Sequence, residues 1–323
     1  MVVITTHKNI LIALVLLFSA LLSSQAVASK CLFISSYHTG YAWSDGVESG
    51  LRETLGGKCE LKQFDMDTKR HKDEVSKKEA ARKARELIER WRPDVVITAD
   101  DNAAKYVIKP FFKDHQVPFV FCGINWNVDE YGFPYSNTTG MVEVAPIDVL
   151  FDNARHIQGG AHRAIYIGAS TLTERKNLKR FKRAADKHGI DLEDHLVNTT
   201  KEWMSAYKEA QEFDFVVIGS NSGINDWNTK SVSEFVVEST KTLTLTNHGW
   251  MMPYTLLGLT KIPEEHGEWA ALVALAILDG TKPSEIPIVS NRKWDIWINH
   301  AILEQSGIRL PESLLRKAKK VSS

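Results

Sequence analysis

Six short stretches carry residue types suited to holding a small molecule. They are Ser35-Ser36-Tyr37-His38-Thr39-Gly40-Tyr41-Ala42-Trp43, Thr98-Ala99-Asp100-Asp101-Asn102, Gly123-Ile124-Asn125-Trp126-Asn127, Gly168-Ala169-Ser170-Thr171, Ser220-Asn221-Ser222-Gly223 and Asn247-His248-Gly249-Trp250. Hydroxyls, amides and aromatic rings dominate them, and two adjacent carboxylates stand in one. Asp100 or Asp101 is the candidate partner for a cationic amino group. Ser36, Thr39, Ser170 and Ser222, with backbone N–H groups beside them, are candidates to hold a carboxylate. Tyr37, Tyr41, Trp126 and Trp250 offer flat apolar faces. Asn125, Thr171 and Asn221 complete the expected lining. Thr98, Asp101, Ser44 and Ser170 have equally the chemistry of helix N-caps.

No catalytic signature stands in these stretches or elsewhere in the chain. Gly219-Ser220-Asn221-Ser222-Gly223 imitates a nucleophile elbow, but its centre is Asn221 rather than serine. The chain contains no phosphate loop, no Gly-x-Gly-x-x-Gly and no His-Glu-x-x-His. Glu264-Glu265-His266 lacks a second histidine at metal spacing. Cys122 closes an apolar run, a poor setting for a reactive thiolate. Lys69-Arg70-His71-Lys72 reads as a solvated loop, although it follows a strand at the right end of the sheet. Asn137-Thr138-Thr139 and Asn198-Thr199-Thr200 fit the glycosylation sequon, which matters only in a eukaryotic secretory route. A secreted hydrolase would need a nucleophile and base that are not found. The expectation is therefore no enzyme, no metal and no cofactor.

The six stretches share one position in the pattern: each follows a short apolar run. Strands are expected at residues 31–36, 59–64, 94–99, 117–122 and 139–144, with helices at 44–55, 76–92 and 102–112. The cycle then restarts. Strands are expected at 164–168, 192–197, 213–219 and 243–247, with helices at 172–188, 201–211 and 226–239. Such alternation indicates parallel sheets with right-handed crossovers, and the restart indicates two units. No sequence repeat accompanies it, only a repeated order of elements. A further helix at 263–280, a short strand at 288–290 and a last helix at 298–306 remain to cross back between the units. In such sheets ligands lie beyond the carboxyl ends of strands, where helix N-termini favour anionic groups.

The N-terminus sets the compartment. Residues 1–9 carry Lys8 and no acid, and residues 10–22 are an unbroken apolar run. Ser23-Ser24-Gln25-Ala26-Val27-Ala28 then ends in an Ala-x-Ala cleavage pattern. That order is a secretory signal peptide, and its apolar run falls short of the roughly 20 residues of a membrane span. A mature chain in the periplasm or outside the cell, starting near Ser29, is expected. With 40 basic and 40 acidic residues the formal charge is zero, which gives no field for nucleic acid. Of three cysteines, Cys31 and Cys59 open expected neighbouring strands. Export permits a bridge between them but does not require one; Cys122 would then be a buried free thiol.

Ser35-Ser36-Tyr37-His38-x-Gly40-Tyr41-x-Trp43 with Asp65-Met66-Asp67-Thr68-Lys69-Arg70 resembles the opening of the ABC-transporter substrate-binding family that includes tryptophan and tyrosine binders. Similar openings occur in periplasmic sensor domains of histidine kinases and diguanylate cyclases. Pro253-Tyr254-x-Leu256-Leu257-Gly258-Leu259, then Glu264-Glu265-x-Gly267-Glu268-Trp269-Ala270-Ala271, is similar to that family's closing segment. Gly307-Ile308-x-Leu310-Pro311-x-Ser313-Leu314-Leu315 is similar to its tail. The resemblance implies a type I periplasmic-binding fold: two Rossmann-like, doubly wound parallel-sheet α/β lobes joined by a three-crossing hinge. Lobe one would be residues 29–143 plus 249–284, and lobe two residues 144–248 plus 285–323. It implies a monomer that closes on a small organic ligand, amino-acid-like or aromatic, and delivers it to a membrane ABC permease. The alternative is a sensor subunit for a membrane kinase or cyclase. Trp43, Trp126, Trp227 and Trp250 make the expected cleft unusually aromatic.

Overall fold

The computed structural model describes residues 29–321, so the expected signal peptide at 1–28 lies outside the described residues. The first unit is a parallel sheet of β1 (Lys30–Ser35), β2 (Glu60–Asp65), β3 (Val95–Ala99), β4 (Phe119–Asn125) and β5 (Thr138–Glu143). Val95-Val96-Ile97-Thr98-Ala99 is buried at every position, because helices cover both faces of a parallel sheet. α1 (Ala42–Leu55) stops at Gly56 in the left-handed region. α2 (Glu74–Trp91) is capped by Asp73, which accepts the Ser76 N–H at 2.8 Å. α3, residues 100–111, widens into a π turn over Ala104–Ile108.

The second unit repeats the order. β6 (Arg163–Ala169), β7 (Asp191–Val197), β8 (Phe215–Ile218) and β9 (Leu243–Thr246) alternate with α5 (Leu172–His188), α6 (Thr200–Glu209) and α7 (Thr229–Ser239). α4 (Ile147–Ile157), which leads into it, was not expected. Its signal is plain in retrospect: Pro146 precedes buried Ile147, Leu150, Phe151 and Ala154 at helical spacing.

Three short elements pair across the expected lobe boundaries. β10 (Leu257–Lys261) lies in the range assigned to lobe one, but pairs with β9 in the second sheet. β11 (Val289–Ser290) lies in the range assigned to lobe two, but pairs with β5 in the first sheet. β12 (Trp294–Ile298), not among the expected strands, runs antiparallel to β10 and takes Ile298, the expected first residue of the last helix. Backbone hydrogen bonding decides both memberships, and neither strand is long enough to announce its partner by sequence. With β13 (Lys319–Lys320), the orders are β11-β5-β4-β3-β1-β2 and β13-β12-β10-β9-β8-β6-β7. The chain crosses between sheets after β5, after β10 and after β11.

Between the last two crossings runs α8 (Pro263–Leu278), which packs on α1 and the first sheet. The approach is backbone to backbone. A Cβ on Gly267 would collide with the Val47 carbonyl, and one on Gly50 with the Glu264 carbonyl. Cys31, Phe33, Val47, Leu51, Val120, Ala270 and Ala274 form the core beneath.

Cys31 and Cys59 form a disulfide, and Cys122 is a buried free thiol. The bridge closes a loop of sequence separation 28, for which chain entropy gives about 3–4 kcal/mol. Replacing both bridged cysteines by serine should lower the urea-unfolding free energy by roughly that amount; an unchanged midpoint would show that the bridge adds nothing.

Candidate functional site

Ser36 fastens the tips of β1, β2 and β3 together. Its hydroxyl donates to the Ala99 carbonyl at 2.6 Å and accepts the Ala103 N–H at 2.9 Å. Its carbonyl accepts the Thr68 N–H at 3.0 Å and hydroxyl at 2.6 Å. The Ser36 hydroxyl is thus already committed within the first lobe. Thr39 is exposed and donates to Asp65 through both its N–H and its hydroxyl, at 3.1 and 3.0 Å.

Asp100 follows directly on β3 with φ +69°, a left-handed conformation costly for a residue with a Cβ. Its side chain is buried. The Trp43 indole N–H donates to Oδ1 at 3.0 Å, while Oδ2 has no partner. Gly123, at a bulge in β4, leaves the room: a Cβ there would sit 3.2 Å from Oδ1. Burial pushes the Asp100 carboxyl up to about 8, Asp101 adds to this, and the Trp43 hydrogen bond, Lys69 and Lys261 oppose it.

Around Asp100 stand groups that sequence reasoning passed over. Lys261, the last residue of β10, lies 5.5 Å from the Trp43 ring centroid and pairs with Glu143 at the end of β5. Burial pulls its ammonium down to about 8, with Asp100 opposing. His266 on α8 is buried, its ring 5.3 Å from Trp43 and both nitrogens without a partner. Burial and then Lys261 pull it down to about 3, so it is neutral. Burial, then Asp100, Asp101 and Tyr41, raise the Tyr37 phenol, which stays a donor. Tyr37 and Tyr41 meet edge to face at 5.2 Å.

Asp101 is more fully bonded. It accepts from the Asn125 side chain at 2.6 Å and the Tyr131 hydroxyl at 2.7 Å. Trp126, at φ +68°, reaches out of the first lobe and packs against the second lobe's core, under the Arg180 guanidinium at 4.3 Å.

The second lobe's tips are polar in a different way. Ser170 accepts from Arg175 at 3.2 Å, and Thr171 caps α5 by accepting the Glu174 N–H at 3.2 Å. Glu174, buried and unforeseen, accepts from the Tyr166 hydroxyl, from the Ser220 N–H at 3.0 Å and from Asn177 at 3.0 Å. Asn221 is half-buried and Ser222 exposed, the Ser222 N–H donating to the Ser220 hydroxyl at 3.0 Å. Trp250 is exposed and stacks on His248 at 4.4 Å. Asn247 Oδ1 and His248 Nε2 have no partner. Trp227 stands apart: it packs on Trp203 at 5.2 Å and donates to the Tyr254 hydroxyl at 2.9 Å.

The geometry gathers Tyr37, Tyr41, Asp100, Asp101 and Asn125 at the tips of the first sheet, and Ser170, Thr171, Asn221, Ser222 and Trp250 in loops at the tips of the second. Trp43 was legible only as part of a motif. Lys261 closes a strand, β10, that the sequence did not reveal, and Glu143 ends the expected fifth strand without a signal of its own. His266 and Glu174 are helical residues with no spacing signal.

Two doubly wound lobes crossed three times by one chain define a periplasmic-binding type of protein. The chain belongs to the ABC transporter substrate binding protein family, whose model matches residues 32–322. Comparison with curated proteins found no match. Among solved structures, a ligand-free, open substrate-binding protein with adhesive properties from Clostridium difficile is similar at 15% identity and TM-score 0.73, covering 91% of this chain and 99% of its own. The ABC domain in complex with L-Trp from Streptococcus pneumonia gives 17% identity and TM-score 0.59, covering 91% and 100%. A periplasmic ribose ABC transporter protein from Conexibacter woesei gives 12% and 0.56, covering 92% and 100%. These likenesses confirm the expected fold. Among the described residues no helix is long and apolar enough to cross a membrane.

The buried acid has a consequence for stability. An unfolded aspartate ionises near 3.9, whereas Asp100 in the fold stays protonated to about 8. Between those values the unfolded chain binds fewer protons, so stability falls as pH rises. Asp100→Asn removes this term. Its stability relative to wild type should improve from pH 4 to pH 8, by up to about 5 kcal/mol at 1.36 kcal/mol per unit. Denaturant melts in which the difference stays flat with pH would contradict it.

Proposed function

We propose that the protein works outside the cytoplasmic membrane as a non-catalytic capture subunit. A small organic ligand, amino-acid-like and with an aromatic or apolar body, binds between the lobes, and the closed form is handed to a membrane permease. The lobes would be residues 29–143 with 262–291, and residues 144–261 with 292–321, hinged at the three crossings. The disulfide fits an oxidising compartment and supports export by the segment at 1–28.

The observation that carries the ligand class is the unpartnered, buried Asp100 Oδ2. Once the carboxyl is ionised, this oxygen is a buried acceptor without a donor, which costs about 1–3 kcal/mol or more, and a ligand amino group would supply the donor. Tyr37, Tyr41 and Trp43 would receive the apolar body. Ser170, Thr171, Asn221 and Ser222, around the N-terminus of α5, would face the carboxylate. That a fold relative was crystallised with L-Trp makes aromatic amino acids the first candidates.

Closure follows from differential affinity: contacts from both lobes exist only when the lobes meet, and only that difference shifts the population. Native mass spectrometry of gently purified protein, then thermal-shift screening of amino acids, amines and purines, tests the function. A true ligand at 100 times its Kd stabilises by about 2.7 kcal/mol. Turnover without any stabilising compound would overturn the capture function.

The pH dependence tests the role of Asp100. A cationic ligand needs the ionised carboxylate, so its affinity should rise about tenfold per pH unit up to about 8. It should lose that dependence in Asp100→Asn. Affinity that instead falls above pH 8 would mean that the ligand accepts a hydrogen bond from the protonated acid.

A further inference from the structure

We propose that Lys69 is a tethered occupant of a cation subsite bounded by Tyr37, Tyr41 and Asp100, and that the ligand's primary ammonium group enters by displacing it. The role depends on the cleft being a ligand site, as proposed above, and names the chemical group that this part of it takes.

The Lys69 ammonium lies 4.4 Å from the Tyr37 ring centroid and 4.9 Å from that of Tyr41. The rings stand 76° apart, so they form two walls of a corner rather than one flat surface. Asp100 is close enough for its charge to act on Tyr37 and for Lys69 to act on it. Two aromatic faces around an ammonium, with a carboxyl group within electrostatic reach of the same ammonium, is the chemistry that recognises an organic cation.

The backbone beneath Lys69 is fixed. Asp67 N–H donates to the Tyr37 carbonyl at 3.1 Å, and buried Thr68 gives both its N–H and its hydroxyl to the Ser36 carbonyl. Asn102 donates to the Thr68 hydroxyl at 2.8 Å. Only the lysine side chain is left to move, and it is largely exposed. Its cation–π contacts are made at a solvent-exposed site, where such contacts are weak enough to be exchanged.

What favours the exchange is that Lys69 fills the corner without satisfying Asp100, whose Oδ2 remains unbonded. An incoming ammonium that reaches both the rings and Oδ2 gains a charge-assisted hydrogen bond that the lysine does not make. A quaternary ammonium has no N–H to offer, so the subsite should select primary amines. The displaced lysine, still tethered at the rim, is then placed to meet an anionic end of the same ligand.

The test needs no knowledge of the natural ligand. Methylammonium and tetramethylammonium chloride are titrated above pH 8, where Asp100 is ionised, into wild type, Lys69→Met and Lys69→Gln, following the indole N–H resonance of Trp43, assigned with Trp43→Phe. Methylammonium should saturate both neutral variants at least tenfold below the concentration needed for wild type, and tetramethylammonium should be weaker. Tyr37→Leu in the Lys69→Met background should abolish the effect. Equal midpoints in wild type and variants, no saturation in any protein, or preference for the quaternary ion would overturn the assignment. Should the screen of amino acids and amines find a ligand while methylammonium fails, Lys69 is no occupant but the capture function stands.

Discussion

The first lobe is organised around one expensive feature: a carboxyl group buried at a strand tip on a left-handed backbone. Asp100 has the conformation of a strained residue and the surroundings of a core residue. Neither arises without support. The bulge at Gly123 makes room, Trp43 donates the single hydrogen bond, and Ser36 locks the adjoining strand tips so that the loop cannot relax. Removing water from a carboxyl group favours its neutral form, and Lys261 and Lys69 are the nearby cations that limit the shift. Strain and unpaired polarity concentrated at one point of a well-packed fold mark a place kept for something other than stability.

The hinge grows out of the same neighbourhood. Lys261 ends the strand from which the chain leaves the second sheet, and its partner Glu143 ends the strand from which it leaves the first. Asn291, at the third crossing, accepts the Val144 N–H at 2.7 Å. Glu265 accepts the Arg292 and Lys293 N–H groups at 2.8 and 2.9 Å. The three crossings are therefore cross-linked to one another, and Lys261 is common to the hinge and to the surroundings of Asp100. A change of charge at Asp100 acts directly on a residue of the hinge, with no longer path required.

The alternating order of strands and helices was legible because burial imposes periodicity. The near-continuous apolar run of β3 and the amphipathic spacing of α2 and α5 each reflect a face that must meet a sheet. The candidate loops were legible for the same reason, since strand ends follow from strands. Lobe membership was not. β10 and β11 are short, and which sheet each joins depends on hydrogen bonds to residues far away in sequence. The roles of individual side chains were equally hidden. Ser36 and Asp100 look alike as polar residues after a strand, yet one has every group bonded within the protein and the other has an oxygen left over. Only the three-dimensional count of donors and acceptors separates a fastening residue from a receiving one.

That count also separates the two lobes. Each places a buried carboxyl group near its strand tips, Asp100 in the first and Glu174 in the second. Glu174 accepts from a phenol, a backbone N–H and an amide, and it holds the start of α5 against the loop after β8. Its hydrogen bonds are complete without a ligand. Asp100 has one donor and one vacant oxygen, so its own are not. Burying a polar group costs free energy until its hydrogen bonds are made, and of these two buried carboxyl groups only Asp100 bears that cost. A ligand that engages the first lobe relieves it, whatever the other lobe does. In the proposed capture function the second lobe would add the contacts made only on closure.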